Sequence, residues 1–176
     1  MRRIRERWGA LIQEVCRYSP IPEEFLAALI ANESGGDSGA ERFEPKVYLR
    51  LVKIRASGGI YGPLTAEILR SAQDDMIRAW ATSWGLTQIV GYHAAGRPGG
   101  IELLKNPQAH LDFALRMLAQ FAEQYAIDVH REAAQLFRCW NTGGPYGLTA
   151  DPKYVQRGLA RMEIYRNSAG SPNPES

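Results

Sequence analysis

Glu33 closes an apolar run and stands directly before Ser34, Gly35 and Gly36. A carboxylate at the C-terminal end of a helix meets the negative end of the helix dipole, which disfavours its ionised form. A carboxylic acid that keeps its proton near neutral pH can act as general acid towards a leaving oxygen. The same position also suits an ordinary solvated glutamate in a last helical turn, so its neighbours must decide. Two other segments set neutral polar groups among apolar or small residues. They are Gly85-Leu86-Thr87-Gln88-Ile89 and Cys139-Trp140-Asn141-Thr142-Gly143, the second followed by Tyr154-Val155. Amides and hydroxyls satisfy a polar ligand without charge, and aromatic faces pack on C–H surfaces. Asp37, Glu41 and Glu44 follow Glu33. Glu44, held between Phe43 and Pro45, is the best candidate for a second carboxylate; its structural alternative is an acid at a helix N-terminus.

The elements that must position these groups are mostly helical. Ile4, Trp8, Leu11, Ile12 and Val15 predict a helix from Arg2 to Cys16. After Ser19-Pro20-Ile21-Pro22, Glu23 and Glu24 charge the first turn of a second helix, whose Phe25, Leu26, Leu29 and Ile30 belong to a core and which ends at Glu33. Gly35 and Gly36 permit a sharp exit. A helix is expected from Pro45 to about Arg55, then short helices over Thr65–Ser71 and Gln73–Trp80. The apolar segment Ser83–Gly91 suggests a buried short helix. The longest helix is expected over Pro107–Tyr125, another carries Ala133, Leu136 and Phe137 into Trp140-Asn141, and a last one runs from Pro152 to Tyr165. No strongly alternating strand and no repeat is visible, so the fold class is mainly α. A single globular domain is expected over residues 1–167, opened by a leading helix at 1–18, with a flexible Ser/Pro/Gly-rich tail at 168–176.

At 176 residues the chain is long enough for one domain with its own core and short for two. Apolar residues make up 45% and charged residues 23%, which separates it from disordered and fibrous classes. A net charge of +2 gives nucleic-acid binding no support. Arg2, Arg3, Arg5 and Arg7 concentrate positive charge at the start, either as a solvated helix face or as a contact for anionic polymers. No secretory signal is visible, because Trp8, Gln13 and Glu14 interrupt any apolar stretch after the arginines, and no run is suited to stable membrane insertion. Cys16 and Cys139 lack metal-site spacing and form either one disulfide or two buried thiols. His93, His110 and His130 are scattered, and nothing local supports a Cys139–His pair.

The order of Glu33-Ser34, Gly85-Leu86-Thr87-Gln88-Ile89, Trp140-Asn141-Thr142-Gly143 and Tyr154 resembles the lysozyme-like superfamily of soluble lytic transglycosylases and goose-type lysozymes. The resemblance spans Ile21 to Tyr165, and Phe43-Glu44-Pro45-Lys46-Val47-Tyr48 and Ser83-Trp84-Gly85 resemble phage-type N-acetylmuramidases. It implies a lysozyme-like domain with a catalytic cleft, acting on the MurNAc–GlcNAc β-1,4 bond of peptidoglycan. Glu33 would be the acid/base and Ser34 would orient it or bind substrate. Gln88 and Asn141 would hydrogen-bond the sugar, Trp140 would supply an aromatic platform, and Tyr154 would lie against Glu33. Each has a structural alternative: a core amide for Gln88, a helix cap for Asn141, core packing for Tyr154, a helix-end bond for Ser34, and core or cleft wall for Trp84 and Trp140. No metal or cofactor is implied; the partners are peptidoglycan glycan strands, and the chain is expected to be a monomer acting on the cell wall by an export route the sequence leaves open.

Three substitutions depart from the pattern: Thr87 for Met, Trp140 for Tyr, and Cys139 for Ala. Residues 52–79 match no part of the transglycosylases. These departures leave room for a non-catalytic glycan-binding or cell-wall assembly module on the same fold, and chitin is a second candidate substrate. Hydrolysis needs a second carboxylate at a set distance. Transglycosylation needs only one, because the muramoyl 6-hydroxyl attacks its own anomeric carbon.

Overall fold

A computed structural model describes residues 1–168, and the expected tail beyond Ser168 lies outside the described residues. The chain is mainly helical with two small sheets, and divides into two compact units, Met1–Gly36 with the residues from Leu111 onward, and Asp37–His110.

In the first unit, helix α1 covers Arg2–Cys16 and α2 covers Glu23–Glu33. Pro22 precedes the first turn of α2, where Glu23 and Glu24 complement the dipole. Phe25 through Ile30 are all buried, so α2 is enclosed on every side and shows no polar stripe. The Arg-rich start is partly committed to the protein. Arg5 donates to the Tyr165 carbonyl at 2.5 Å and lies over the Tyr165 ring, while Arg2 pairs with Glu6.

The second unit opens with strand β1 (Glu41–Phe43) and helix α3 (Pro45–Ser57), followed by the hairpin β2 (Ile60–Tyr61) and β3 (Leu64–Thr65). Short helices α4 (Ala66–Ser71) and α5 (Asp74–Trp80) come next. Leu51, Ile54, Leu64, Leu69 and Ile77 form its core, with Phe43, Val47 and Tyr48 packed against it. Strands β4 (Thr82–Trp84) and β5 (Ile89–Val90) complete an antiparallel sheet in the order β1-β4-β5. Glu41 faces Trp84, and Trp84 faces Ile89.

This sheet corrects the expectation of a buried short helix over Ser83–Gly91. All three residues of β4 are buried between two strand neighbours, so the segment carries no polar/apolar alternation. Apolar runs this short fit either state, and pairing with the distant β1 decides for strand. A 3₁₀ turn at Gly91–Ala94 and helix α6 (Gly100–Lys105) follow. Helix α7 spans Pro107–Tyr125 as expected. Helices α8 (Ala133–Thr142) and α9 (Tyr154–Asn167) complete the first unit. There α2 packs on α1 and α9, and α8 packs on α9.

His110 is 1% exposed and ties the second unit together. Its Nδ1 meets the Leu104 carbonyl at 3.0 Å, and a carbonyl can only accept, so Nδ1 carries the hydrogen. Nε2 is then the acceptor, taking the Thr87 backbone N–H at 3.1 Å and the Thr87 hydroxyl at 2.8 Å. Burial lowers the ring's pKa to about 4, so the folded state binds it neutral while the unfolded chain protonates it near 6.5. Stability is therefore full above about pH 6.5 and falls as the pH drops towards 4, by on the order of 3 kcal/mol for this ring. Urea midpoints should decline steadily from pH 6.5 to 5, above the ordinary carboxylate range, and NMR should show the His110 ring still neutral at pH 5. A flat midpoint with a ring titrating near 6.5 would contradict the buried acceptor.

Candidate active site

The candidate catalytic acid, Glu33, is the last residue of α2 and is half-buried. Ser34 caps the helix end: its backbone N–H donates to the Ile30 carbonyl at 3.1 Å, and its hydroxyl oxygen accepts from the Gly36 N–H at 3.2 Å. The chain leaves through Gly35 and Gly36, and the Trp8 indole N–H donates to the Gly36 carbonyl at 2.9 Å. The helix thus ends at a fixed place, with Glu33 at its rim.

Tyr154, the first residue of α9, donates its phenolic hydrogen to Glu33 Oε1. The Tyr154 side chain is buried, and its pKa is raised by burial first, then by the Glu33 charge and by the hydrogen bond itself. It therefore remains a neutral O–H donor. Asn32 reinforces the junction: its Nδ2 donates to the Tyr154 carbonyl at 3.1 Å, and its Oδ1 accepts from Arg161, two turns further along α9. The edge of one of the Phe137 and Tyr154 rings meets the face of the other, with centroids 6.2 Å apart.

Sequence reasoning missed Asn32 and Arg161. Their signals were a lone amide beside Glu33 in an apolar helix, and an arginine seven residues after Tyr154 on the same helical face.

Asn141 and Trp140 lie in the last turn of α8. Asn141 is exposed and is not the helix cap. That place belongs to Gly143, in the left-handed region, whose N–H donates to the Cys139 carbonyl at 2.8 Å. Trp140 is half-buried. Cys16 and Cys139 are free and buried, so the disulfide alternative gives way to two thiols. Burial pushes the Cys16 thiol up to about 12 and raises that of Cys139, which makes neither a nucleophile.

Gln88 and Glu44 belong to the second unit. Gln88 ends the Gly85–Gln88 loop between β4 and β5 and has φ +54°, a left-handed conformation that costs a non-glycine residue about 1 kcal/mol or more. Two bonds hold it there, from Nε2 to the Ala40 carbonyl at 3.1 Å and to the Gly85 carbonyl at 3.0 Å. Both amide hydrogens are thereby used within the protein, and what the side chain offers a ligand is its Oε1 acceptor. Glu44 precedes α3, and its Oε1 accepts from Arg42 at 2.9 Å and from the Ser83 hydroxyl at 2.7 Å. It links the middle residues of β1 and β4, which face each other in the sheet. The structure thus brings Glu33, Ser34 and Tyr154 together in one unit, and gives Glu44 and Gln88 partners of their own in the other.

No family model, curated protein or solved structure matches the chain.

The chemistry open to the Glu33 site follows from its donors. With the Tyr154 hydrogen directed at Oε1, Oε2 is the oxygen better placed to carry the proton of neutral Glu33, which gives the acid hydrogen a preferred side. Once that proton is given away, the same phenol stabilises the carboxylate left behind.

This junction depends on Gly158, where an added Cβ would come within 2.7 Å of the Phe137 ring, itself fully buried. Gly158→Ala should destabilise by about 1–3 kcal/mol through overpacking, lowering Tm by about 3–10 °C. An unchanged melting curve by circular dichroism would show that α8 and α9 do not pack this closely.

Proposed function

We propose that this chain is a glycosidase that cleaves the MurNAc–GlcNAc β-1,4 bond of peptidoglycan, on a lysozyme-like fold, with Glu33 as the general acid/base. The observation that carries this reading is the hydrogen bond from Tyr154 to Glu33, which joins the first and last members of the ordered motif set. A structural glutamate at a helix end is normally left to water. Here a buried phenol donates to it, Asn32 bonds the backbone of that tyrosine, and Arg161 bonds Asn32 in turn.

In the first step Glu33 gives its Oε2 proton to the glycosidic oxygen as the bond to the anomeric carbon breaks. The resulting carboxylate, held by Tyr154, next takes a proton from the attacking nucleophile. For a transglycosylase that nucleophile is the muramoyl 6-hydroxyl, and for a hydrolase it is water. Within the unit that carries Glu33, Asn141 and Trp140 offer an exposed amide and an aromatic face to the sugar. The engagement of Glu44 by Arg42 and Ser83 gives that carboxylate a structural occupation, which favours a mechanism that rests on Glu33 alone.

Glu33→Gln keeps the shape and removes the proton, so clearing of purified cell walls should drop at least 100-fold with Tm nearly unchanged. Equal clearing by the variant and the native chain would remove Glu33 from the reaction, and no clearing by the native chain would favour a binding module. Anhydro-muramoyl ends in the mass spectra of the products mark transglycosylation, and reducing ends mark hydrolysis. Tyr154→Phe deletes the donor and retains the ring. It should cut kcat about tenfold, the loss of one charge-assisted hydrogen bond, with KM little changed. An unchanged kcat would make the Tyr154 contact incidental.

A further inference from the structure

Between α8 and α9 the chain runs Gly143-Gly144-Pro145-Tyr146-Gly147-Leu148-Thr149-Ala150, eight residues without a charge. Leu148 is 97% exposed and Tyr146 86% exposed, and with Tyr18 they are the three most solvent-facing large apolar side chains among the described residues of the first unit. Exposure of this order usually accompanies a loose loop, but this loop is fastened at both ends. The Thr142 hydroxyl bridges the end of α8 to the loop, donating within reach of the Arg138 carbonyl at 2.9 Å and the Gly144 carbonyl at 3.0 Å. The Tyr125 hydroxyl donates to the Gly143 carbonyl at 3.1 Å. At the far end Thr149 donates to the Asp151 carbonyl at 2.7 Å, and Asp151 accepts from the Lys153 N–H at 2.9 Å and from Arg157.

The tip itself is anchored on either side of Tyr146. Pro145 is buried. Gly147 passes so close to α8 that an added Cβ would lie 1.9 Å from the Thr142 oxygen, and its N–H donates to the Gly144 carbonyl at 3.3 Å. Tyr146 is therefore a ring held out to solvent by fixed neighbours, and little further ordering is needed for it to receive a ligand.

We propose that Tyr146, with Leu148 beside it in sequence, is a stacking platform for a pyranose ring of the glycan strand. This rests on the glycan reading of the Glu33 site and adds to it a binding residue outside the motif set. The chemistry selects the occupant. An aromatic face and an aliphatic side chain match the C–H face of a sugar. The uncharged stretch offers no counter-ion to a phosphate backbone or an acidic peptide. The loop is also continuous with both ends of the candidate site, since it leaves α8 just after Trp140 and Asn141 and enters α9 at Tyr154.

The test uses the full chain in two backgrounds. With native Glu33, Tyr146→Ala should raise KM for soluble peptidoglycan fragments about tenfold, the loss of one aromatic contact, with kcat and Tm unchanged. Tyr146→Trp should restore the native KM. In the Glu33→Gln background, Tyr146→Ala should weaken retention on insoluble peptidoglycan by a similar factor. Native KM and native retention in Tyr146→Ala would overturn the platform while leaving the catalytic proposal intact. Weakened retention in Tyr146→Ala beside full activity of Glu33→Gln would uphold the platform and sink the catalytic proposal. A shift in oligomeric state without a change in glycan retention would assign the loop to protein contact and overturn the inference.

Discussion

The end of α2 is held against the start of α9 by the Tyr154–Glu33 hydrogen bond, and the first unit is arranged to keep those two ends together. A helix terminus leaves backbone groups unsatisfied and usually frays. Here Ser34 caps it, Trp8 fastens the exit at Gly36, and Asn32 bonds the backbone of Tyr154. Phe25 and Phe137 stack within the core, their centroids 4.3 Å apart, and Gly158 lets α9 come close to Phe137. The apolar packing sets where the helices lie; the polar contacts then set one carboxyl oxygen. Packing supplies the energy and hydrogen bonds supply the orientation, a division that suits the acid/base role proposed for Glu33.

The second unit solves a similar problem with backbone rather than helices. Its β4–β5 loop puts Gln88 in a left-handed conformation that the residue would not adopt alone. Two carbonyls grip the amide nitrogen, and His110 grips Thr87 next to it. Thr87 gives its hydroxyl to His110 Nε2, a bond that a methionine at this position could not make. The histidine has structural work, holding Leu104 through one ring nitrogen and Thr87 through the other.

Much of the helical frame was legible from the chain. Helix α1 and the end of α2 follow from apolar spacing, from Pro20 and Pro22, and from the glycines after Ser34, all local signals. The β1-β4-β5 sheet was not legible. Its strands are two or three residues long and its central strand is buried, so neither length nor alternation announces it. The fate of the cysteines was equally hidden, because spacing cannot say whether two buried thiols meet.

The sequence by itself determined the inventory: a helix-terminal Glu33, neutral amides at Gln88 and Asn141, and aromatic residues at Trp140 and Tyr154, in an order that resembles one superfamily. Local propensity and side-chain chemistry are enough for that. Only the tertiary structure decided which of them act on one another. It joined Tyr154 to Glu33 across 121 positions, enlisted Asn32 and Arg161, occupied Glu44 with Arg42 and Ser83, and held Tyr146 out to solvent. Contacts between residues far apart in sequence depend on how helices pack, and packing is a property of the whole unit that no local pattern contains.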